Sequence, residues 1–444
     1  MSDKVLKEFI SMLSDLVSFK SLSINEGECE KTAKYLVEVL KEVGFSVKVV
    51  KPREGNPVIL ASLKGKENNS ILFYNHYDVQ PAEPLEEWIY DPFQVKVVED
   101  RIYGRGVGDN KGNIVSRILA VKKILEEEGE LPITVKFVIE GEEEAGSPHL
   151  WDALSQSKKF FEDVEIVIWE FGGFNKDGSM TIFLGLKGIL YFELKARRLS
   201  RDAHSSLAVL LPSAAWDLIT FLYELKKDNL KKIKSFWNGI VDIREVLQEI
   251  REAGYEIAFD PDALKQEFDI EAFVDDLKGE EALEAYYGRP SFNIDGFLTG
   301  YTGEASKTVL PAEASVKIDF RLVPYQDPEA ISKEFCELAE KNGLICKKMD
   351  FTEPTFTSFK HQSVQKLLKI LNNIGVKTKI APWSPGSGPM HIFTKYLKLP
   401  AVSGIGVSYW GTRAHAPNEN IRIKDVEKAL QIIMRIIKLY PKTS

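Results

Sequence analysis

Short runs of β-branched and aromatic residues alternate with amphipathic helical stretches through the first 170 positions. "FSVKVV" (45–50), "PVILASL" (57–63) and "ILFYN" (71–75) are each bounded by glycine, asparagine or charge and read as strands. Helical spacing of apolar residues predicts helices over about 3–18, 29–43 and 113–129. "ITVKFVIE" (133–140) and "VEIVIW" (164–169) are apolar with little alternation, the pattern of strands buried on both faces. Strands alternating with helices predict an α/β fold on a mostly parallel sheet. That constrains the site as well, because open α/β sheets bind ligands beyond the carboxyl ends of their strands.

The pattern changes near residue 188. "GILYFELKARRL" and "EASVKIDFRLV" alternate apolar and polar, as strands with one wet face do. A long, charged, mostly helical region, about 211–285, lies between them. The α/β style returns with the helix "SVQKLLKILNNIG", the strand "PAVSGIG" and the closing helix "IKDVEKALQIIMRIIKLY". A chain of 444 residues favours at least two domains. The expected division is a discontinuous domain, 1–187 with 354–444, interrupted by an inserted α+β domain, 188–353.

Apolar residues make up 44% of the chain and the formal net charge is −8, which argues against a broad electrostatic grip on nucleic acid. No run of roughly 18 apolar residues suggests a membrane span, and the charged start "MSDKVLKEFISMLSDLVSFK" does not read as a signal peptide. Cys29, Cys336 and Cys346 show no paired spacing, so the expectation is a reducing compartment, a cytoplasmic protein and no thiolate metal site.

Four candidate groups follow strands: His76 and Asp78 after "ILFYN", Glu142, Glu143 and Glu144 after "ITVKFVIE", Glu170 after "VEIVIW", and His415 beyond "PAVSGIG". Asp109, in "YGRGVGDNKGN", opens the turn into the helix near 113. Each has a bland alternative. A lone histidine is more often hydrogen-bonded than ligating, three glutamates suit a solvated helix start, and Asp109 suits an N-cap. Together, two histidines and several carboxylates at one sheet edge have the composition of a metal site with mixed N/O ligands. Zinc is the first expectation, with cobalt or manganese able to substitute.

"NHYDVQP", "GRGVGDNKG", "EGEEEAGS" and "TRAHAPNENI" resemble, in order and spacing, the signature segments of the M20 metallopeptidase family. That family includes carnosinase-like dipeptidases, glutamate carboxypeptidases and N-acyl-amino-acid deacylases. The resemblance implies a catalytic domain with two zinc ions and an inserted lid that often forms a homodimer interface. It implies that His76, Asp109 and Glu170 bind one metal and Asp109, Glu144 and His415 the other. Asp78 would orient His76, and Glu143 would be the general base for a water activated by the metals. A cis peptide bond is implied at Asp109–Asn110. His204, in "RDAHSS", matches a lid histidine that reaches the partner subunit's site in dimeric members, although Ser206 stands where a glycine is usual. Thr308 and Arg321 match positions that bind a substrate's terminal carboxylate, for which an arginine fork is suited. Gly386 and Gly388, in "PGSGP", could add backbone N–H groups. His149, His361 and His391 match no ligand position.

The expectation is therefore a hydrolase of short peptides with a free C-terminus, of dipeptidase or carboxypeptidase type. "HYDVQP" and "RLVP" lean toward dipeptidases; Glu170 is the acid more typical of carboxypeptidases and deacylases. An N-acyl-amino-acid deacylase is the first alternative. The acidic net charge and the lack of a phosphate-binding glycine motif in this chain argue against a two-metal phosphoesterase, and a binding protein with a relic site would have lost ligand positions that are all present.

Overall fold

The computed structural model describes residues 3–443. A nine-stranded sheet runs in the order Ser46–Val50, Val58–Leu63, Ile133–Glu140, Glu67–His76, Val164–Phe174, Ala401–Tyr409, Met180–Phe183, Thr378–Ala381 and Glu256–Ile257. The four strands from Ile133–Glu140 to Ala401–Tyr409 are mutually parallel. Their carboxyl ends therefore share one edge, as the alternating pattern predicts. Ile133–Glu140 is buried at every position. One face of the sheet packs on the helices Asp3–Ser18, Glu26–Val43, Lys111–Glu128, Gln362–Asn373 and Ile423–Leu439. Leu72, Tyr74, Val138, Val167 and Trp169 point to the other face, against Leu154, Met390 and Phe393.

A second, four-stranded sheet is antiparallel throughout, in the order Ser291–Thr299, Glu313–Leu322, Gly188–Arg197 and Ile345–Thr352. Leu190, Phe192, Leu194, Val316, Ile318 and Phe320 alternate inward to meet the helices Ala214–Lys227 and Pro328–Lys341 in a separate core. The remainder of the 188–353 segment behaves differently. Leu247 and Ile250 of the helix Ile243–Glu252 and Tyr287 of the helix Gly279–Gly288 are buried in the large sheet's core. Glu256–Ile257 adds to that sheet beside Thr378–Ala381.

The cysteine expectation needs correction. Cys336 and Cys346 form a disulfide, with Cα atoms 5.3 Å apart. The helix Pro328–Lys341 turns back tightly onto the strand Ile345–Thr352, which brings together two residues whose spacing carries no signature in sequence. Cys29 is buried and free. The cysteines thus lend no support to a reducing compartment. No helix among the described residues is long and apolar enough to cross a membrane.

Candidate active site

Asp109 stands between two imidazoles. Its Oδ1 lies 3.1 Å from His76 Nε2 and its Oδ2 lies 3.0 Å from His415 Nε2. His76 Nε2 is also 3.4 Å from Glu170 Oε2, and His415 Nε2 is 3.3 Å from Glu144 Oε2. His76 and His415 thus each meet Asp109 and one further carboxylate, and His76, Asp109 and Glu144 also bring ligand atoms within 4.8 Å of one another. Two donors held about 2.0–2.1 Å from one tetrahedral zinc lie roughly 3.3 Å apart, so these histidine–carboxylate spacings suit donors that share a cation. Glu144 Oε1 and Glu170 Oε2 are buried without a hydrogen-bond donor, an arrangement that is costly unless a positive charge faces them.

The electrostatics agree with that geometry. Burial and the Glu170 carboxylate push Glu143 well above the usual carboxylate range. Burial lifts Glu170 to about 8, opposed by His76 and reinforced by Asp109. Burial pulls the His76 imidazole down, but Glu170 and the bonds to Asp109 and Asp78 outweigh it and carry it well above the usual value. Bonds to Asp109 and Glu144 raise His415 to about 10. Crowded, buried carboxylates around two imidazoles make a strongly negative site, the electrostatic setting that favours bound cations.

Glu143 is also near His76 and Glu170, so proximity alone does not separate base from ligand. The contacts differ. Glu144 Oε2 faces His415 and accepts from Gln80 Nε2 at 2.9 Å. Glu143 Oε1 faces the "PGSGP" turn instead, where a Cβ on Gly388 would sit 3.3 Å from it. Asp78 ties the loop to the first strand end. Its Oδ1 lies 3.3 Å from His76 Nδ1, and its carboxylate accepts the backbone N–H groups of Glu143 and Glu144 at 3.3 and 3.0 Å.

The M20/M25/M40 peptidase pattern matches residues 72–439. The chain belongs to that peptidase family. It is 33% identical to an M20 family metallo-carboxypeptidase from Sulfolobus solfataricus, with a TM-score of 0.87 over 98% of this chain and 99% of that one. It is 31% identical over 301 residues to the Beta-Ala-His dipeptidase of Rattus norvegicus, covering 67% of this chain. That stretch spans 60% of the rat protein, less than two thirds of its length. The Cys-Gly metallodipeptidase of Schizosaccharomyces pombe is 26% identical over 374 residues, covering 78% of this chain and 77% of that protein.

The other M20 positions are distributed unevenly. The Asp109–Asn110 bond is cis, as the resemblance implies. Arg321, in the strand Glu313–Leu322, donates to Asp319 Oδ1 at 3.2 Å and to Ser387 Oγ at 3.2 Å, which brings its side chain against the turn that carries Gly386 and Gly388. Thr308 precedes the short strand Val309–Leu310, in which Val309 pairs with His204. His204 itself is exposed, with Nδ1 bonded to Ser206 Oγ at 2.8 Å. His149 engages Glu142, His361 caps the helix Gln362–Asn373 through Ser363 N–H, and His391 packs on Tyr396. None of the three joins the cluster.

Several further buried polar residues position the site. Glu419 accepts from the backbone N–H groups of Gly106, Gly108 and Asp109 and from Arg105, holding the glycine-rich turn in place. Arg117 donates to the carbonyls of Tyr74, Trp169 and Ile405, linking three strand ends. Asn110 donates to the Glu170 carbonyl. Glu419 lies within "TRAHAPNENI", so an acid inside a ligand-bearing motif was the available signal. His415 and Arg413 both adopt left-handed backbone, φ 62° and 59°, which is uncommon outside glycine and recurs at functional loops.

Proposed function

We propose that the chain hydrolyses the peptide bond next to a free C-terminal residue in short peptides. The sharing of Asp109 between the His76–Glu170 and His415–Glu144 pairs carries this reading. His76, Asp109 and Glu170 would hold one divalent ion and Asp109, Glu144 and His415 a second. Zinc is first by donor type, with cobalt or manganese as substitutes; such a pair supplies an activated water and a polarised carbonyl.

The chain's own residues do the rest. Glu143, held beside the cluster by its backbone bond to Asp78, takes the water's proton and returns it to the leaving amine. Asp78 keeps His76 Nδ1 engaged, so that Nε2 faces the site. Arg321 keeps part of its fork free beside Ser387 and meets the substrate's terminal carboxylate, with Gly386 and Gly388 lending backbone N–H groups and Thr308 a hydroxyl. In this reading residues 1–187 and 354–444 form the catalytic domain and 188–353 the lid, although 243–288 pack on the catalytic core.

His204 is on the lid surface and would act across a homodimer, donating to the oxyanion in the partner's site. Leu207, Val209, Leu210 and Trp216 near it and Leu298 on the edge strand Ser291–Thr299 are exposed, an apolar surface suited to burial against a second copy. Nothing in this reading calls for nucleic acid or a membrane, and a cytoplasmic site of action is part of it.

Glu170 keeps the N-acyl-amino-acid deacylase as the second reading. A side-by-side screen of dipeptides, tripeptides and N-acetyl amino acids, with and without chelator, tests both. Chelator-sensitive release of the C-terminal residue from peptides is expected. Turnover of N-acetyl amino acids alone would install the deacylase.

A further inference from the structure

The acid–imidazole cluster opens on one flank into an aromatic groove that the chemistry above leaves unused. A cavity of about 350 Å³ begins at Gly108 and Asp109, passes Arg413 beside the His415 loop, and is walled by Phe171, Phe183 and Trp410. A second cavity, of about 900 Å³, continues from it; Asn175, Thr181, Phe183 and Trp410 line both. Its far wall holds Phe259, Leu264 and Tyr286, from the part of the 188–353 segment that leaves the small sheet for the large core. Both volumes are of the size that holds small ligands, roughly 300–1,000 Å³.

The walls are braced. Phe171 and Phe183 meet edge to face at 5.3 Å, and Phe259 and Tyr286 lie 5.1 Å apart. Trp410, at the junction, is 60% exposed, with Lys176 Nζ 5.0 Å from its ring. A large indole left in water beside a reactive cluster is a surface that a bound apolar group would cover.

The charges are as informative. Asp109 and Arg413 are the charged residues among the described lining of the first cavity. Asp109 is already shared by two histidines, and Arg413 is a cation. A free α-ammonium would find no carboxylate of its own there and would face a like charge. Further along, the second cavity's lining holds the acids Asp177, Asp260 and Glu267 and the cations Lys176 and Lys379; Asp177 is held by Ser179 and Lys379, Asp260 caps a helix, and Glu267 lies at the far wall, away from Asp109 and Arg413 of the first cavity. The carboxylate clamp is elsewhere, since Arg321, Ser387 and Gly388 sit by Glu143 and line neither cavity.

Resting on the peptidase reading, we infer that this groove binds the acyl side of the substrate. It takes a bulky aromatic or apolar side chain next to the scissile bond, on a residue whose nitrogen is acylated or extended by further peptide. The preferred substrates are then N-blocked or longer peptides trimmed from the C-terminus, in place of free dipeptides.

The test compares acetyl-Phe-Ala, acetyl-Gly-Ala and Phe-Ala on the metal-loaded protein, following release of alanine. Acetyl-Phe-Ala should exceed acetyl-Gly-Ala in kcat/KM by roughly tenfold to a hundredfold, the discrimination an apolar pocket supplies. It should also exceed Phe-Ala. Trp410→Ala, at an exposed position, should shrink the Phe-to-Gly ratio severalfold, each substrate serving as the folding control for the other. Equal rates for the two acetyl peptides, a ratio untouched by Trp410→Ala, or faster cleavage of Phe-Ala would overturn the inference and leave the peptidase reading standing. No alanine from any of the three would remove the peptidase reading itself, and this inference with it.

Discussion

Glu143 and Glu144 are adjacent in sequence and face different partners, so their amides should fail differently. Glu143→Gln should retain bound metal and lose turnover by about 10²–10⁴-fold, the usual contribution of a general base. Glu144→Gln should release metal, since His415 and Asp109 would lose a carboxylate partner. Metal content after dialysis, set beside kcat, reads both, and the reverse pattern would exchange the two roles. Arg321 is the other residue with a sharp expectation. A charge-assisted bond to a terminal carboxylate is worth about 1.5–3 kcal/mol, so C-terminally amidated peptides should lose roughly tenfold to 150-fold in kcat/KM. Arg321→Ala should impose a similar loss on free acids and narrow the gap. Equal rates for acid and amide with the unaltered chain would leave Arg321 as a partner of Asp319 alone. At this scale the sequence was most legible where a chemical side chain directly follows an apolar run, as at His76 and Glu170. Glu419 and Arg117 were hidden because their partners lie about 310 and 290 residues away at the far ends of their contacts, a distance that no local pattern reports.

The turn that follows "PGSGP" shows how an element can set a pH response. His391 packs against Tyr396 beside the helical turn Ile392–Tyr396. Burial pulls its imidazole from 6.5 down to about 4, opposed by Glu353 and reinforced by Lys395. The folded chain therefore keeps His391 neutral where the unfolded chain takes up a proton. The linked stability is full above about pH 6.5 and is lost as pH falls towards 4. His391→Gln should flatten the decline of Tm between pH 7 and 4.5; an unchanged slope would show that the ring is protonated in the folded chain. Elements were read well wherever periodicity was strong. The strands expected at 133–140 and 188–199 appear as Ile133–Glu140 and Gly188–Arg197. The short strands Met180–Phe183 and Thr378–Ala381 passed unnoticed, being too brief to show a period. Amphipathic helices such as Ile243–Glu252 announce an apolar face and not the core it will join, which is why its packing on the large sheet was not foreseen. The Cys336–Cys346 pair was missed for a related reason: a helix doubling back onto its neighbouring strand is a tertiary event.

At the scale of the whole molecule, the fold places all five proposed ligands at one sheet edge and leaves His204 exposed on the lid, bonded to Ser206. If His204 serves the partner's site, two inactive variants should rescue each other. Glu143→Gln and His204→Ala chains, mixed and allowed to re-form dimers, should recover about a quarter of the unaltered activity, because half the dimers are mixed and each has one intact site. No recovery despite exchanged subunits would put His204 in its own chain's site or outside the chemistry. In the proposed chemistry Asp109, flanked by His76 and Glu170 on one side and by His415 and Glu144 on the other, joins two metal sites that together hydrolyse a peptide bond. The most direct test is a metal titration of the chelator-treated protein, with bound metal and release of the C-terminal residue measured on the same samples. Activity should be absent without metal, return as ions bind, and reach its plateau at about two divalent ions per chain. Full peptide turnover by the metal-free chain would contradict the account.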